Sequence, residues 1–84
     1  MYYVYLLRCK DNSLYCGQTN NLEKRIDEHN SSKIKAAKYT RGRKPVTLVY
    51  VEKIKTVSLA LKREYEIKKL TKMQKEDLVQ RFKK

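Results

Sequence analysis

The chain opens on an unbroken aromatic and branched run, Tyr2 to Cys9, which reads as a well-buried strand. Asp11-Asn12-Ser13 supplies turn chemistry and Leu14 to Gln18 returns as a second strand, so the two form a hairpin. Its register matters, because Tyr5 and Tyr15 share a face only if paired residue numbers sum to an even value, as with a three-residue loop at 11 to 13. The period then changes to that of a helix. Asn20 or Asn21 caps it, with Glu23 three residues after Asn20 as in a capping box, and the spacing predicts a helix to about His29, ending near Asn30-Ser31-Ser32. Residues 31 to 45, with Gly42 and Pro45, read as an ordered or half-ordered basic loop. Val46 to Val51 forms a third strand, Thr56 or Ser58 caps a helix reaching Leu70, and a final helix runs from Thr71 to about Arg81. The order is β-β-α-β-α-α, without repeat, linker or low-complexity segment.

Several polar groups sit where that pattern places core. On the first helix Leu22, Arg25, Ile26 and His29 follow the i, i+3, i+4, i+7 spacing, so Arg25 and His29 share the apolar stripe facing the sheet. On the second, Val57, Ala60, Leu61 and Glu64 form one stripe, turning Glu64 inward and Glu66 to solvent. An unpaired buried charge costs several kcal/mol, so such groups need each other, a metal or a ligand. Two readings stand side by side at each position. Arg25 and Glu64 form a structural salt bridge, or Arg25 snorkels outward, or both serve a site. His29 is a capping or core histidine at a helix C-terminus, or takes part in chemistry. Tyr5 and Tyr15 are half-buried strand rings with wet hydroxyls, or functional groups.

Charge shifts the balance between them. Over 84 residues, 21 Lys and Arg face 9 Asp and Glu, a formal net charge of +12 that attracts polyanions. Lys33, Lys35, Lys38, Arg41, Arg43 and Lys44 fall together in the loop with no acidic residue among them, so nucleic acid is the leading partner. A single domain over 1 to 84 with one compact site is expected from the length. A membrane partner competes less well, since no stretch approaches the roughly 20 apolar residues of a spanning helix. A soluble, unexported, cytoplasmic protein is expected, with Cys9 and Cys16 reduced, and one His leaves too few soft ligands for structural zinc. An Arg, a His, a Glu and two Tyr converging in such a protein suffice for phosphodiester hydrolysis. Arg grips a non-bridging oxygen, a carboxylate holds Mg²⁺, and a tyrosine of lowered pKa takes the proton of the attacking water.

These residues resemble a known family, the GIY-YIG nuclease domain, and within it the small bacterial proteins that consist of that domain alone. The first signature stands as Tyr3-Val4-Tyr5 and the second as Tyr15-Cys16-Gly17. Arg25 and His29 match the Arg, and the His or Tyr one turn on, that follow the second signature; Glu64 resembles the metal-binding glutamate, and Lys38-Tyr39-Thr40-Arg41-Gly42 also resembles these small members. The resemblance spans residues 2 to 72. It implies an α+β fold, a three-stranded antiparallel sheet flanked by helices, and a divalent-metal-dependent phosphodiesterase acting on DNA. By the same resemblance Tyr5 and Tyr15 position and deprotonate the water, with Tyr15 favoured as the base. Arg25 holds the phosphate, His29 assists in phosphate contact or proton transfer, Glu64 binds one Mg²⁺ or Mn²⁺, and Gly17 lets the backbone pass close to helix and site. Tyr3 replaces the family's first glycine, Cys16 its middle isoleucine, and Gln18 stands where repair-enzyme members often carry a lysine near the tyrosine.

The first functional expectation is an endonuclease of DNA repair or recombination, selective for branched, damaged or single-stranded structure rather than for sequence. The alternative is a non-catalytic module that binds DNA or structured RNA on the same fold, and an adaptor role in a larger complex is a third. Six loop contacts to duplex phosphates would give a binding slope near −5 against log salt, at about 0.9 per phosphate. A titration of affinity between low and moderate salt checks it.

Overall fold

The computed structural model describes residues 1–31 and 37–83. The elements in chain order are β1 (Tyr2–Arg8), β2 (Leu14–Thr19), α1 (Leu22–Ser31), α2 (Lys38–Arg41), β3 (Thr47–Ile54), α3 (Val57–Lys68) and α4 (Lys72–Phe82). The three strands form one antiparallel sheet in the order β2-β1-β3. As the middle strand, β1 has both edges paired and both faces covered, which explains why its sequence reads as continuous core. Tyr5, Leu7 and Cys9 point to one face, where Leu22 and Ile26 of α1 meet them together with Tyr15, Leu48 and Val51. Val4, Leu6, Leu14 and Cys16 point to the other, under Ala60 and Ile67 of α3 and Val79 of α4. The result is the expected α+β architecture, a thin sheet with helices on both sides.

The hairpin has the even register. Tyr3 pairs with Thr19, Tyr5 with Gly17 and Leu7 with Tyr15, each pair summing to 22, so the two tyrosines share the α1 face. Turn chemistry sets this count: Asp11 Oδ1 accepts the Ser13 amide at 3.1 Å, and Asn12 takes the left-handed φ of 69° that Asn tolerates. On the other side of β1 the register slips between Leu6 and Leu7, which pair with Tyr50 and Leu48 and leave Val49 as a bulge. Val49 and Tyr50 therefore both enter the core beneath α3 and α4, while Leu48 and Val51 serve the α1 side.

The caps decide the helix starts. Asn21, not Asn20, caps α1 through Oδ1 to the Lys24 amide at 3.2 Å, so Glu23 falls one position short of closing a capping box. Thr56 caps α3, and Thr71 with Gln74 forms a full capping box on α4. Two expectations need correction. Residues 38 to 41 form a turn of helix, α2, with the Thr40 and Arg41 amides both bonded to the Ala37 carbonyl, where the sequence read only a loop. The buried stripe of α3 runs through Ala60 and Ile67; Val57 and Leu61 are 45% and 50% exposed, because the small Ala60 lets the helix approach the sheet on that flank. Lys33 and Lys35 lie outside the described residues. At the far end, Arg8 makes a two-pronged ion pair with Glu76 and Lys72 bonds both Glu76 and the Asn12 carbonyl, tying α4 to the hairpin. No helix among the described residues is long and apolar enough to cross a membrane.

Gly17 controls the space in which the α1-face tyrosines sit. A Cβ there would lie 2.5 Å from the Tyr5 hydroxyl oxygen and 2.7 Å from Cζ, so the phenol ring lies flat across the glycine. The close approach is thus to a cross-strand ring rather than to helix backbone. Tyr5 is 1% exposed, one of the largest fully buried side chains of the core. Gly17→Ala is therefore expected to destabilise the fold by about 2 kcal/mol, within the range for overpacking a core, measurable as a lowered urea midpoint.

Candidate functional site

The hydrogen bonds around His29 form a directed chain. The Thr40 hydroxyl gives its one proton to the Ala37 carbonyl at 3.0 Å, so toward His29 Nδ1, 2.8 Å away, it can only accept. That network assigns the proton of the neutral ring to Nδ1 and leaves the Nε2 lone pair for Tyr5, whose hydroxyl donates to it at 3.0 Å. The Arg25 guanidinium in turn adjoins the Tyr5 oxygen. His29 is wholly buried, and burial, helped by the Arg25 charge, pushes its pKa from 6.5 down to about 4. It is neutral at pH 7, not the charged histidine of a helix C-terminus. Burial also raises the Tyr5 hydroxyl, so Tyr5 is a protonated donor. Wholly buried, His29 is reached from the sheet side through its bond to the Tyr5 hydroxyl.

Around this chain the aromatic rings pack together, His29 edge-on to both tyrosines and the tyrosines tilted against one another. The centroids of Tyr15 and His29 are 5.2 Å apart and those of Tyr5 and Tyr15 6.5 Å. Tyr39 of α2 continues the series at 5.7 Å from Tyr15, and the Arg43 guanidinium lies 4.2 Å above the Tyr39 ring. Arg43 is held there by Asp11 at 2.9 Å and the Tyr39 carbonyl at 2.8 Å. The basic segment is therefore fastened to the tyrosine hairpin. Lys38 and Arg41 are exposed on α2, and Lys44 is half-buried beside Pro45.

The two inward charges do not pair with each other. Arg25 bonds Glu28 at 3.1 Å and Glu64 bonds Lys68 at 3.2 Å, each within its own helix. Both nevertheless act on the tyrosines, since the charges of Arg25 and Glu64 reach the hydroxyls of Tyr5 and Tyr15. Glu64 arrives from the opposite side of the sheet to Arg25, because α3 packs across the edge strand β2, where Cys16 Sγ contacts the Glu64 carbonyl at 3.9 Å. Burial holds Tyr15 above its ordinary pKa, with Lys68 and Arg25 pulling the other way, so the lowered tyrosine pKa expected from the sequence is not what the structure gives: burial outweighs the neighbouring cations at both tyrosines. Tyr5, Tyr15, Arg25 and His29 thus gather on the α1 side, and Glu64 reaches the same hydroxyls only as a weaker charge from the α3 layer. Lys68 joins them without having been singled out, and Tyr39 and Thr40, noted in the sequence only as part of a resembling stretch, join them without having been given a role. Lys68 stands one helical turn from Glu64, a spacing that could have found it; Thr40 and Tyr39 lie in a segment with no period to read.

For a metal, Glu64 is the candidate ligand. Among the described residues no group of three or more His, Cys, Asp or Glu side chains gathers. One carboxylate next to a phosphate site suits a hard ion that keeps most of its waters, as Mg²⁺ does, and does not suit zinc.

A three-stranded sheet presenting two hairpin tyrosines to a helix-borne arginine and a glutamate from the far layer defines the catalytic domain of a class of nucleases. The chain belongs to the GIY-YIG family: the family profile described as the GIY-YIG catalytic domain matches residues 1–77. Its relatives are small UPF0213 proteins of bacteria and archaea. One from Clostridium perfringens is 60% identical over 79 residues, covering 94% of this chain and 83% of its own. One from Natronomonas pharaonis is 50% identical over 78 residues, covering 93% and 89%. Among solved structures, the solution structure of a UPF0213 protein from Bacillus halodurans is similar at 44% identity and TM-score 0.60, over 95% of this chain and 84% of that one. A second, from E. faecalis, is similar at 46% identity and TM-score 0.64, over 96% and 84%.

The depressed His29 pKa makes stability depend on pH. Between about 4 and 6.5 the unfolded chain binds a proton that the folded chain refuses, so His29's contribution is complete above pH 6.5 and falls as pH drops toward 4. The loss is on the order of 3 kcal/mol. The lowered carboxylates Glu76, Glu52 and Asp11 act at lower pH, below their ordinary values near 4. Urea melts at a series of pH values should show this slope in the parent protein and a flat response over the same window in His29→Gln.

Proposed function

We propose that this protein is a divalent-metal-dependent endonuclease that hydrolyses phosphodiester bonds in DNA, selects structure rather than sequence, and acts in repair or recombination in the cytoplasm. What supports the reading is the grouping of Tyr5, Tyr15, Arg25 and His29 on one face of the sheet, with the charge of Glu64 acting on the same hydroxyls from the other layer. A fold with no use for phosphate chemistry would have little reason to aim both charges at the same two phenols.

In this reading the tyrosines divide the work. Tyr5 gives its proton to His29, is buried, and serves to orient Arg25. Tyr15 is half-buried and protonated in the resting site; it first gives its own proton to solvent, a loss that the Lys68 and Arg25 charges favour, and as the phenolate it is the base that takes the proton of the attacking water. Water oxygen forms the new bond to phosphorus as the ester bond breaks, and the leaving oxygen picks up a proton from solvent. Arg25 grips a non-bridging oxygen and offsets the charge that develops there. Glu64 would hold the Mg²⁺ or Mn²⁺ ion, whose contribution when bound is to polarise the phosphate and favour ionised oxygen. The exposed cations Lys38 and Arg41, with the half-buried Arg43 and Lys44, follow the DNA backbone, and Lys33 and Lys35 extend the same charged run in sequence.

A second reading has its own support. Lys68 already neutralises Glu64, so the inward carboxylate does not by itself repel a phosphate, and a binder of DNA or structured RNA could keep it. Cleavage separates the two. With Mg²⁺ or Mn²⁺ the protein should nick or cut at least one member of a panel of branched, nicked and single-stranded DNA. Glu64→Ala and Arg25→Ala should each lower the rate by at least about 100-fold, as for loss of a group that stabilises developing charge, while gel-shift affinity changes little. Absence of metal-dependent cleavage across the panel, with binding retained, favours the second reading.

A further inference from the structure

The pair Glu64 and Lys68 is unequal in a way that an ordinary surface ion pair is not. Glu64 is 17% exposed and Lys68 52% exposed, with Nζ 3.2 Å from Oε2. The backbone beneath the carboxylate is fixed, since α3 packs on β2 and β1, Ala60 and Ile67 are wholly buried, and Cys16 Sγ touches the Glu64 carbonyl. A held carboxylate thus meets an ammonium on a flexible four-carbon stem that is open to solvent. Cys16 directly follows Tyr15, and of the charges acting on the Tyr15 hydroxyl that of Lys68 is the strongest. Strand β2 itself offers no such cation there, because position 18 is Gln18.

We infer that Lys68 belongs to the site as a tethered cation: it neutralises Glu64 until a divalent ion takes that carboxylate, and then turns to the scissile phosphate. The inference rests on the nuclease reading. Charge counting explains the need. Arg25 with Glu28 and Glu64 with Lys68 leave the resting site neutral, His29 and both tyrosines being uncharged. A divalent ion on Glu64 adds two positive charges, and a phosphodiester under attack by hydroxide carries two negative ones, so the loaded site balances only if the Lys68 charge is counted. Without it the same assembly is left one charge negative at the step where negative charge accumulates. An ammonium one turn away, released from Glu64 when the ion binds, supplies that charge with no rearrangement of backbone.

Two measurements on the whole protein test this, with readouts that move in opposite directions. Mn²⁺ affinity, taken without DNA by the EPR signal of the free ion, should rise about three- to tenfold in Lys68→Gln, the ion no longer competing with an ammonium worth roughly one partly exposed ion pair. Single-turnover cleavage of the parent's substrate at saturating Mn²⁺ should fall about 10- to 100-fold in the same variant. Lys68→Arg keeps the charge and should stay close to the parent in both, which also guards against a fold defect in the glutamine variant. Unchanged or weakened Mn²⁺ affinity in Lys68→Gln, or unchanged turnover, overturns the inference. The parent reading fails separately: a Glu64→Gln variant that still cleaves, or a parent that never cleaves, overturns the nuclease assignment and the phosphate role of Lys68 with it. An inactive Glu64→Gln beside an unaffected Lys68→Gln overturns the role of Lys68 alone.

Discussion

The site depends on one steric fit, a phenol ring lying across a residue with no side chain. Tyr5 and Gly17 face each other in the β1–β2 ladder, and the ring fills the volume that any Cβ at position 17 would claim. From that placement the rest follows in order. The Tyr5 hydroxyl reaches His29 Nε2, the His29 proton is fixed on Nδ1 by Thr40, and Thr40 is anchored to the backbone at Ala37. Each bond in the chain has a single allowed direction, so the hydroxyl that Arg25 meets is held in one orientation before any substrate arrives. Preorganisation of this kind is what electrostatic catalysis requires, because dipoles that need no turning cost nothing at the reacting step.

Much of this was legible in the sequence because it rests on local rules. The inward Arg25 and His29 followed from helical spacing, and the starts of α3 and α4 from Thr56 and Thr71; the hairpin register is even, but pairs summing to 22 centre its turn on Asp11, one residue before the turn expected at 11 to 13. What escaped depended on tertiary choices. Whether α3 buries Val57 and Leu61 or Ala60 and Ile67 is a rotation of less than half a turn, and it was settled by how closely the small Ala60 fits the sheet, which periodicity does not weigh. The bulge at Val49 leaves two successive residues on one face, contrary to the alternation by which strands are read. Thr40 sits in a one-turn helix too short to carry a pattern, so its hold on His29 is visible only once the fold brings position 40 to position 29.

The charge pattern carries a related lesson. A half-buried Arg and a half-buried Glu in one small domain invite pairing, yet each has a partner one turn away on its own helix, Arg25 with Glu28 and Glu64 with Lys68. Pairs of this type are worth little to stability, about 0.3–0.5 kcal/mol each on an exposed helix. Their value lies in what they leave undone. Had Arg25 and Glu64 closed on each other, a phosphate and its cation would first have had to break a bridge between layers; paired locally, each can be recruited without loosening the sheet.

The division of the site between two layers also bears on how the molecule loses activity. Tyr5, His29 and Thr40 belong to the α1 side, while Glu64 rides on a helix held to the other face largely through Ala60, Ile67 and the edge strand. Helices resting on an edge are the natural units of partial opening, detaching at a free-energy cost below that of global unfolding. An excursion of α3 alone would take Glu64 and Lys68 away while the tyrosine and histidine network stayed packed, giving a folded but inert species. Under the proposed nuclease reading, a resting population of that kind amounts to a safety catch set by the docking strength of a single helix.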